Sequence, residues 1–323
     1  MTLSVAVIIP TYRRPQLLAR CLEALTRQSL SGQSYEVIVV DDGCTEATRQ
    51  VVEDFHRRCQ GVPAFRYLQP RGTRGPAAAR NRGWRASSAP LIAFTDDDTE
   101  PDEDWLMEGC KAMTRCAVAV GGRVVVPTRP RPTDHERMTQ GLERAEFATA
   151  NAFVWRHALV SVGGFDERFQ RAWREDSDLH FSLLQLGHVG WAPKATVVHP
   201  VRPERWGVSL RQQANVFFDA LLFKKHPHLY RLKIRSTPPW HYHLIVFGTL
   251  LALLSLWEGW YATAAGAGLA VAAALLRFIA ARLRGASLEP SHVAEMLVTS
   301  VAIPFLSLYW RVRGALHFRV LFF

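Results

Sequence analysis

Short apolar runs alternate with longer amphipathic stretches along the first hundred residues. The runs, rich in β-branched side chains, predict strands at residues 5–10, 37–40, 65–68 and 91–94. Apolar residues at helical spacing between them predict helices at about residues 15–28 and 46–58. Strands that alternate with helices are typical of a parallel sheet. The first part of the chain is therefore predicted to be an α/β domain built from βαβ units with a parallel sheet.

Beyond Pro101 the pattern becomes mixed. An apolar run covers residues 117–126, and a Pro- and Arg-rich stretch at 127–132 predicts a loop. Gly163-Gly164-Phe165-Asp166 predicts a turn, and the helical pattern that follows starts at or just after Glu175.

Two apolar stretches, at residues 240–257 and 260–281, dominate the C-terminal part of the chain. Each is about long enough to cross ~30 Å of hydrocarbon, and aromatic residues stand at the ends. Basic residues flank the pair on both outer sides, whereas the connecting Glu258-Gly259 carries none. The positive-inside rule then predicts that both flanks lie in the cytoplasm. The alternative is a helical hairpin buried in a soluble domain.

The predicted domain boundaries follow from these stretches. Residues 1–235 are predicted to form a domain that faces the cytosol, and residues 236–284 a transmembrane hairpin. Residues 285–323 are predicted to be an interfacial or re-entrant segment, because the weaker apolar run there contains Pro304. We expect a multi-pass protein of the cytoplasmic (inner) membrane.

The net charge of +10 at pH 7 permits binding to nucleic acid or to anionic lipid. Basic residues crowd around the apolar stretches, and no helix-turn-helix, zinc-finger or RNA-binding pattern accompanies them. Membrane lipids are therefore predicted partners, and nucleic acid is not. The five cysteines lack metal-ligand spacing and are predicted to be free thiols. The first apolar run has no signal-peptide flank or cleavage site and is predicted to be a strand.

Polar clusters follow three of the predicted strands. They are Thr11-Tyr12-Arg13, Asp41-Asp42 and Asp96-Asp97-Asp98. In open parallel sheets, ligands bind outside the carboxyl ends of the strands, so the three clusters are predicted to meet at one edge. Carboxylates there can hold Mg²⁺ or Mn²⁺ against diphosphate oxygens, although a solvated acidic turn has the same sequence.

Further candidates have both a chemical and a purely structural interpretation. Asp42 either binds a uracil-like base or ribose, or forms a turn before Gly43. Arg80 either pairs with diphosphate oxygens or is solvated. Glu175-Asp176 either takes the proton of an attacking hydroxyl or favours the helix dipole. His199 is either a metal ligand or a strand-end histidine.

Seven segments within residues 3–200 resemble, in the same order, glycosyltransferase family 2, the inverting enzymes with the GT-A nucleotide-sugar-binding fold. The segments are VAVIIPTYRRP, YEVIVVDDGCTE, GPAAARNRGW, LIAFTDDDTEPDEDWL, VGGFDERF, WREDSDLHFSLLQLG and ATVVHP. Seven ordered matches are more specific than any single motif. The resemblance implies an α/β catalytic domain with the GT-A fold, which is Rossmann-like with a mostly parallel sheet, followed by C-terminal transmembrane helices.

By position, the resemblance also implies roles for individual residues. It implies that Pro10, Thr11 and Arg13 line the nucleotide pocket. From their places in the polar and basic segments, Tyr12, Arg80 and Asp97 are predicted to belong to the substrate-binding set as well. It implies that Asp42 contacts the base, that Asp96 lies near the ribose, and that Asp98 holds the metal, with His199 as a further metal contact. Asp176 is implied as the general base, with Glu175 beside it.

The implied reaction is a metal-assisted, inverting transfer of a sugar from a UDP-, GDP- or dTDP-sugar to a hydroxyl acceptor, lipid-linked or part of a cell-envelope glycan. Cys44 stands where a serine is usual. No matching Gln precedes Arg205-Trp206, so the Gln-x-x-Arg-Trp motif of processive synthases is missing and a single transfer is expected. A nucleotidyltransferase and a catalytically inactive membrane scaffold are the alternatives. A dinucleotide-dependent dehydrogenase is disfavoured because no G-x-G-x-x-G follows the first strand.

Overall fold

The computed structural model describes residues 4–114 and 116–322. Within it the chain forms two compact units. The first comprises Met1–Pro127 and Gln140–Val201, and the second comprises Thr128–Thr139 and Arg202–Phe323. Residues 202–235 therefore group with the apolar C-terminal helices, whereas the predicted domain boundary was at residue 235. The placement of these parts in cytosol and membrane stays a prediction.

An eight-stranded sheet forms the centre of the first unit. Its strands are β1 (Val5–Thr11), β2 (Tyr35–Asp41), β3 (Ala64–Leu68), β4 (Leu91–Thr95), β5 (Glu100–Pro101), β6 (Ala117–Val125), β7 (Asn151–Trp155) and β8 (His188–Val198). They lie in the order β3-β2-β1-β4-β7-β6-β8-β5. The four neighbouring strands β3, β2, β1 and β4 pair in parallel. Strand β7 is antiparallel to both β4 and β6. The α/β class and the parallel N-terminal half are confirmed, and the sheet as a whole is mixed.

The helices fall on both sides of this sheet and in the second unit. In chain order they are α1 (Pro15–Thr26), α2 (Glu46–Arg58), α3 (Pro76–Arg85), α4 (Trp105–Ala112), α5 (Asp134–Gln140), α6 (Arg156–Val162), α7 (Glu175–Leu186), α8 (Val208–Gln212), α9 (Val216–Lys225), α10 (Pro227–Leu229), α11 (Trp240–Trp257), α12 (Tyr261–Leu283) and α13 (Pro290–Phe318). The predicted helix at 46–58 is confirmed at the same residues.

Strand alternation divides the core into two layers. Val5, Val7 and Ile9 of β1 pack in one layer with apolar residues of α1, α2 and α4. Ala6 and Ile8 of the same strand pack in the other layer with residues of α3, α6 and α7. Because successive side chains of a strand point to opposite faces, burial on both faces requires the continuous apolar run seen in the sequence.

Parallel pairing brings the polar strand ends to one edge. Thr11 pairs with Asp41 across β1 and β2, and Ile8 pairs with Phe94 across β1 and β4. The residues that follow Thr11, Asp41 and Thr95 therefore leave the sheet on the same side, as the sequence predicted.

The second unit contains three helices that are long and apolar enough to cross a membrane. They are α11, α12 and α13, with mean hydropathies of 1.4, 1.9 and 1.5 in their most apolar windows. The segment predicted as interfacial or re-entrant contains α13, a continuous helix of 29 residues that includes Pro304. By length and composition α13 is therefore a third candidate span beside the two predicted.

A buried arginine joins this unit internally. Arg282 near the end of α12 donates to Thr299 and Ser300 of α13 at 2.8 and 2.9 Å, and to Asp134 of α5 at 2.7 Å. A guanidinium has five donors in a fixed plane, so one side chain of α12 can bond acceptors on two other helices at once. The segment Thr128–Thr139 is thereby held to the end of α12 and to the interior of α13.

Candidate active site

Asp96, Asp98 and His199 bring three ligand atoms together at the carboxyl edge of the sheet. The aspartates follow β4 and the histidine follows β8. One ligand atom from each lies within 4.8 Å of the other two. His199 Nε2 lies 3.5 Å from Asp98 Oδ1, and His199 Nδ1 is buried with no hydrogen-bond partner in the described part of the chain.

This donor set fits a divalent cation. Carboxylate oxygens suit Mg²⁺ and Mn²⁺, and an imidazole nitrogen is accepted more readily by transition metals such as Mn²⁺. A buried nitrogen without a protein partner is the signal expected where a further group binds, because such atoms are otherwise costly. Asp98 and His199 were both predicted as metal ligands, and Asp96, predicted near the ribose, lies in the same group.

Asp97 is turned into the protein. Its Oδ2 accepts a hydrogen bond from Thr11 Oγ1 at 2.6 Å, and its Oδ1 accepts one from Arg14 Nη1 at 3.1 Å. Burial raises the pKa of Asp97 to about 6, and Arg14 and Thr11 oppose the rise. Asp97 thus links the segment after β4 to the segment after β1. The substrate contacts predicted for Thr11 and Asp97 stay predictions.

Arg80 of α3 is a buried cation between two carboxylates. It is 3% exposed. Its Nη2 donates to Asp96 Oδ1 at 2.7 Å, and its Nη1 donates to Glu175 Oε1 at 3.2 Å. The predicted contact of Arg80 with substrate stays a prediction, and the observed contacts make Arg80 a positioning residue that joins the ligand group to α7.

Glu175 and Asp176 occupy the first turn of α7. Burial raises the pKa of Glu175, and Asp176 beside it raises that pKa further, whereas Arg80 lowers it. Burial also raises the pKa of Asp176, opposed by the Ser177 N–H, which donates to Asp176 Oδ1 at 2.6 Å. Glu175 Oε2 is buried without a hydrogen-bond partner among the described residues. These two carboxylates therefore favour the protonated form more than exposed ones do.

The two aspartates after β2 differ in their surroundings. Asp41 is fully buried and accepts hydrogen bonds from the backbone N–H groups of Gly43 and Thr45 at 2.9 and 2.7 Å, so it shapes the turn. Asp42 Oδ2 accepts from the Gly75 N–H at 3.1 Å, while its Oδ1 is buried with no partner in the described chain. Asp42 therefore keeps an acceptor atom available, which suits the predicted contact with a base.

The remaining predicted residues lie at the end of β1. Pro10 is the last strand residue before Thr11 and is half-buried. Tyr12 is exposed, and Arg13 has a positive φ of 55° with its guanidinium carbon 5.2 Å from the Tyr12 ring centroid. Their side chains stand at the same edge as the carboxylates, and the nucleotide contact stays a prediction.

Asn81, which the sequence analysis missed, anchors the turn after α6. Its amide nitrogen donates to Phe165 O at 2.8 Å and to Glu167 Oε1 at 2.9 Å, and its Oδ1 accepts from Phe165 N at 2.9 Å. A Cβ on Gly164 would lie 2.5 Å from Asn81 Oδ1, so glycine is required there. The sequence did contain a signal for this residue. Pro76 followed by three alanines predicts a helix, and Asn81 lies on that helix next to Arg80.

The comparisons with known proteins agree with this architecture. Residues 6–169 match the family model described as Glycosyl transferase family 2. The chain belongs to glycosyltransferase family 2. It is 29% identical over 235 residues to glycosyltransferase AglE of Haloferax volcanii, covering 66% of this chain and 71% of that protein. It is 30% identical over 273 residues to validoxylamine A glucosyltransferase of Streptomyces hygroscopicus subsp. limoneus, covering 69% of this chain and 57% of that protein.

Two solved structures share the fold. The mannosyltransferase PcManGT from Pyrobaculum calidifontis, in complex with GDP-Man and Mn²⁺, has a TM-score of 0.58 and 22% identity over 94% of this chain and 87% of that chain. TarS of S. aureus has a TM-score of 0.50 and 18% identity over 76% of this chain and 49% of that chain. The predicted GT-A fold is confirmed.

Replacing Arg80 by Met tests its positioning role. Removal of the buried cation leaves Asp96 and Glu175 uncompensated, so we expect unfolding to become easier by about 3–5 kcal/mol. Arg85→Met on the same helix breaks an exposed pair with Glu167 and is expected to cost about 0–1 kcal/mol. Denaturant unfolding in detergent measures both. Equal, small decreases in the free energy of unfolding for the two variants would contradict the positioning role of Arg80.

Proposed function

We propose that the chain transfers a sugar from a nucleotide-sugar donor to a hydroxyl acceptor in a single, inverting displacement. One observation supports this most strongly. Arg80 bonds Asp96 of the candidate metal group and Glu175 next to Asp176, so groups suited to a diphosphate and to a proton acceptor belong to one buried network. Family membership supports the same reaction class.

On the donor side, Asp42 receives the base, and Asp96, Asp98 and His199 would hold a divalent cation. When bound there, the cation would supply positive charge that stabilises the departing nucleoside diphosphate. Asp42 Oδ1 and His199 Nδ1 support these roles, because both are buried and lack a hydrogen-bond partner among the residues that the structure describes. Pro10, Thr11, Tyr12 and Arg13 complete the nucleotide side.

On the acceptor side, Asp176 acts as general base. Its carboxylate takes the proton from the acceptor hydroxyl while that oxygen bonds to the anomeric carbon. The bond from the anomeric carbon to the diphosphate oxygen breaks in the same step, so the configuration at that carbon inverts. Glu175, bonded to Arg80, holds the start of α7 in place.

The acceptor is proposed to be lipid-linked or a cell-envelope glycan precursor. The three candidate membrane helices support this, because an anchored enzyme meets such acceptors in two dimensions. The positive flanks of α11 and α12 support a catalytic domain on the cytosolic side of an inner membrane. Without the processive motif, each encounter adds one sugar.

A donor panel tests the proposed function. The detergent-purified protein is incubated with UDP-, GDP- and dTDP-sugars, with and without Mn²⁺ or Mg²⁺, and released nucleoside diphosphate and thermal stabilisation are measured. We expect metal-dependent stabilisation and release with one nucleotide. Release of pyrophosphate would indicate a nucleotidyltransferase, and a folded protein silent to every donor would favour the inactive scaffold.

Two conservative substitutions separate the proposed roles. Asp176→Asn is expected to keep donor binding and to lower transfer by about 10²–10⁴-fold, since only the proton acceptor is lost. Asp98→Asn is expected to lose metal-dependent donor binding as well. Asp104→Asn is the control, because it removes an exposed carboxylate that makes no side-chain cap bond at the start of α4. It should leave both donor binding and transfer unchanged. Full turnover in either of the first two variants would refute the role of that residue.

The pH profile offers a separate test of the base. Asp176 must be ionised to take a proton, and burial raises its pKa above the ordinary value. kcat/KM should therefore fall on acidification at a higher pH than that at which an exposed aspartate titrates, about 4. Because Glu175 and Asp176 titrate together, the apparent pKa belongs to the pair. Donor binding measured over the same range is the control, and a rate that stays flat down to about pH 4 would contradict the assignment.

A further inference from the structure

The segment between α10 and α11 forms a shallow concavity in the second unit. Its wall contains the rings of Phe223, Tyr230 and Phe322, and its rim contains the guanidinium groups of Arg231 and Arg235. The space is about 280 Å³, part of which is open to solvent. A ring-lined wall beside two cations combines an apolar surface with an anion-attracting rim.

The three rings form one packed group. The centroids of Phe223 and Tyr230 are 5.6 Å apart, those of Phe223 and Phe322 are 5.6 Å apart, and those of Tyr230 and Phe322 are 5.7 Å apart. Arg231 also lies over Phe223, with its guanidinium carbon 5.2 Å from the ring centroid. Aromatic groups at such spacings give a firm apolar wall.

Arg311 of α13 stands behind this wall. It is 4% exposed, and its Nε and Nη1 have no hydrogen-bond partner within the described residues. Its guanidinium carbon lies 5.2 Å from the ring centroid of Phe322. A buried cation with unused donors is costly unless an anion compensates it.

Asp219 and Tyr230 supply that compensation. Both attract Arg311, Tyr230 hydrogen-bonds it, and Asp219 accepts a hydrogen bond from the Tyr230 hydroxyl at 3.2 Å. One carboxylate offsets one of three nearby arginines, so Arg231 and Arg235 leave the concavity net positive. An anion that enters from the open side meets this field.

The elements around the concavity are fixed to each other. A Cβ on Gly314 of α13 would lie 2.6 Å from Phe217 O of α9, so the two helices are in close contact. Lys224 Nζ donates to Phe318 O at 2.8 Å, which satisfies a carbonyl at the end of α13. The rings therefore project from a supported framework.

The position of the concavity identifies its occupant. Ser236, Thr237 and Pro238 belong to it and lead directly into α11, a candidate membrane helix. We propose that this concavity binds the phosphate headgroup of a membrane lipid through Arg231 and Arg235. Arginine pairs bidentately with phosphate oxygens, and the apolar wall continues toward the lipid chain.

Native mass spectrometry of the full chain tests this binding. Protein in mixed micelles of phosphatidic acid and phosphatidylcholine is compared with Arg231→Gln and Arg235→Gln, which replace the two arginines of the concavity. Loss of a charged hydrogen-bond donor is expected to weaken retention of phosphatidic acid by about tenfold or more in each variant. Inorganic phosphate in large excess should not release the lipid, because it cannot occupy the apolar wall.

Arg313→Gln is the matched control. Arg313 lies two residues from Arg311, is exposed, and stacks on Trp310 with its guanidinium carbon 4.8 Å from the ring centroid. It should retain phosphatidic acid like the unchanged protein. An equal loss of phosphatidic acid retention in Arg313→Gln would show that the effect comes from surface charge in general. That result would overturn the proposed site. So would unchanged retention in Arg231→Gln and Arg235→Gln, since both positions are exposed. Release by inorganic phosphate alone would overturn the assignment to a lipid.

Discussion

The contact of the Arg80 guanidinium with Asp96 and Glu175 is the constraint on which the candidate site depends. A cation that is 3% exposed is stable only while both carboxylates remain in place. It therefore ties α3, the segment after β4 and the start of α7 into one arrangement. The same contact lowers the pKa of Glu175 against the effect of its burial. The buried charge of Arg80 therefore affects both the arrangement of these three segments and the protonation of Glu175.

Buried polar contacts of the same kind fix the neighbouring loops. Asp97 joins the segments after β1 and β4, and Asn81 holds the turn at Phe165. Asn151 joins β6 and β8, since its amide nitrogen donates to Arg123 O at 2.9 Å and to Ala195 O at 2.8 Å. Each such group is costly to bury unpaired, so it admits one loop arrangement and disfavours others. The apolar layers give the sheet its stability, and these contacts give the edge its geometry.

The sequence predicted the elements whose pattern is local. Continuous apolar runs marked the strands from β1 to β4, and the polar residues after them marked the binding edge. The roles of Arg80 and Asp97 were not predictable, because both depend on partners far along the chain, Glu175 for one and Thr11 for the other. The antiparallel β7 was missed for the same reason, since pairing with β4 and β6 is set by tertiary context. Pro304 suggested a break, yet α13 continues through it.

The stereochemistry of the transferred sugar tests the central claim most directly. A donor of known anomeric configuration is turned over, and proton NMR of the product taken early gives the configuration of the new bond. A single displacement with Asp176 as base predicts the opposite configuration to that of the donor. Retention of the donor configuration would contradict the account, because it requires two displacements or a different course at the anomeric carbon.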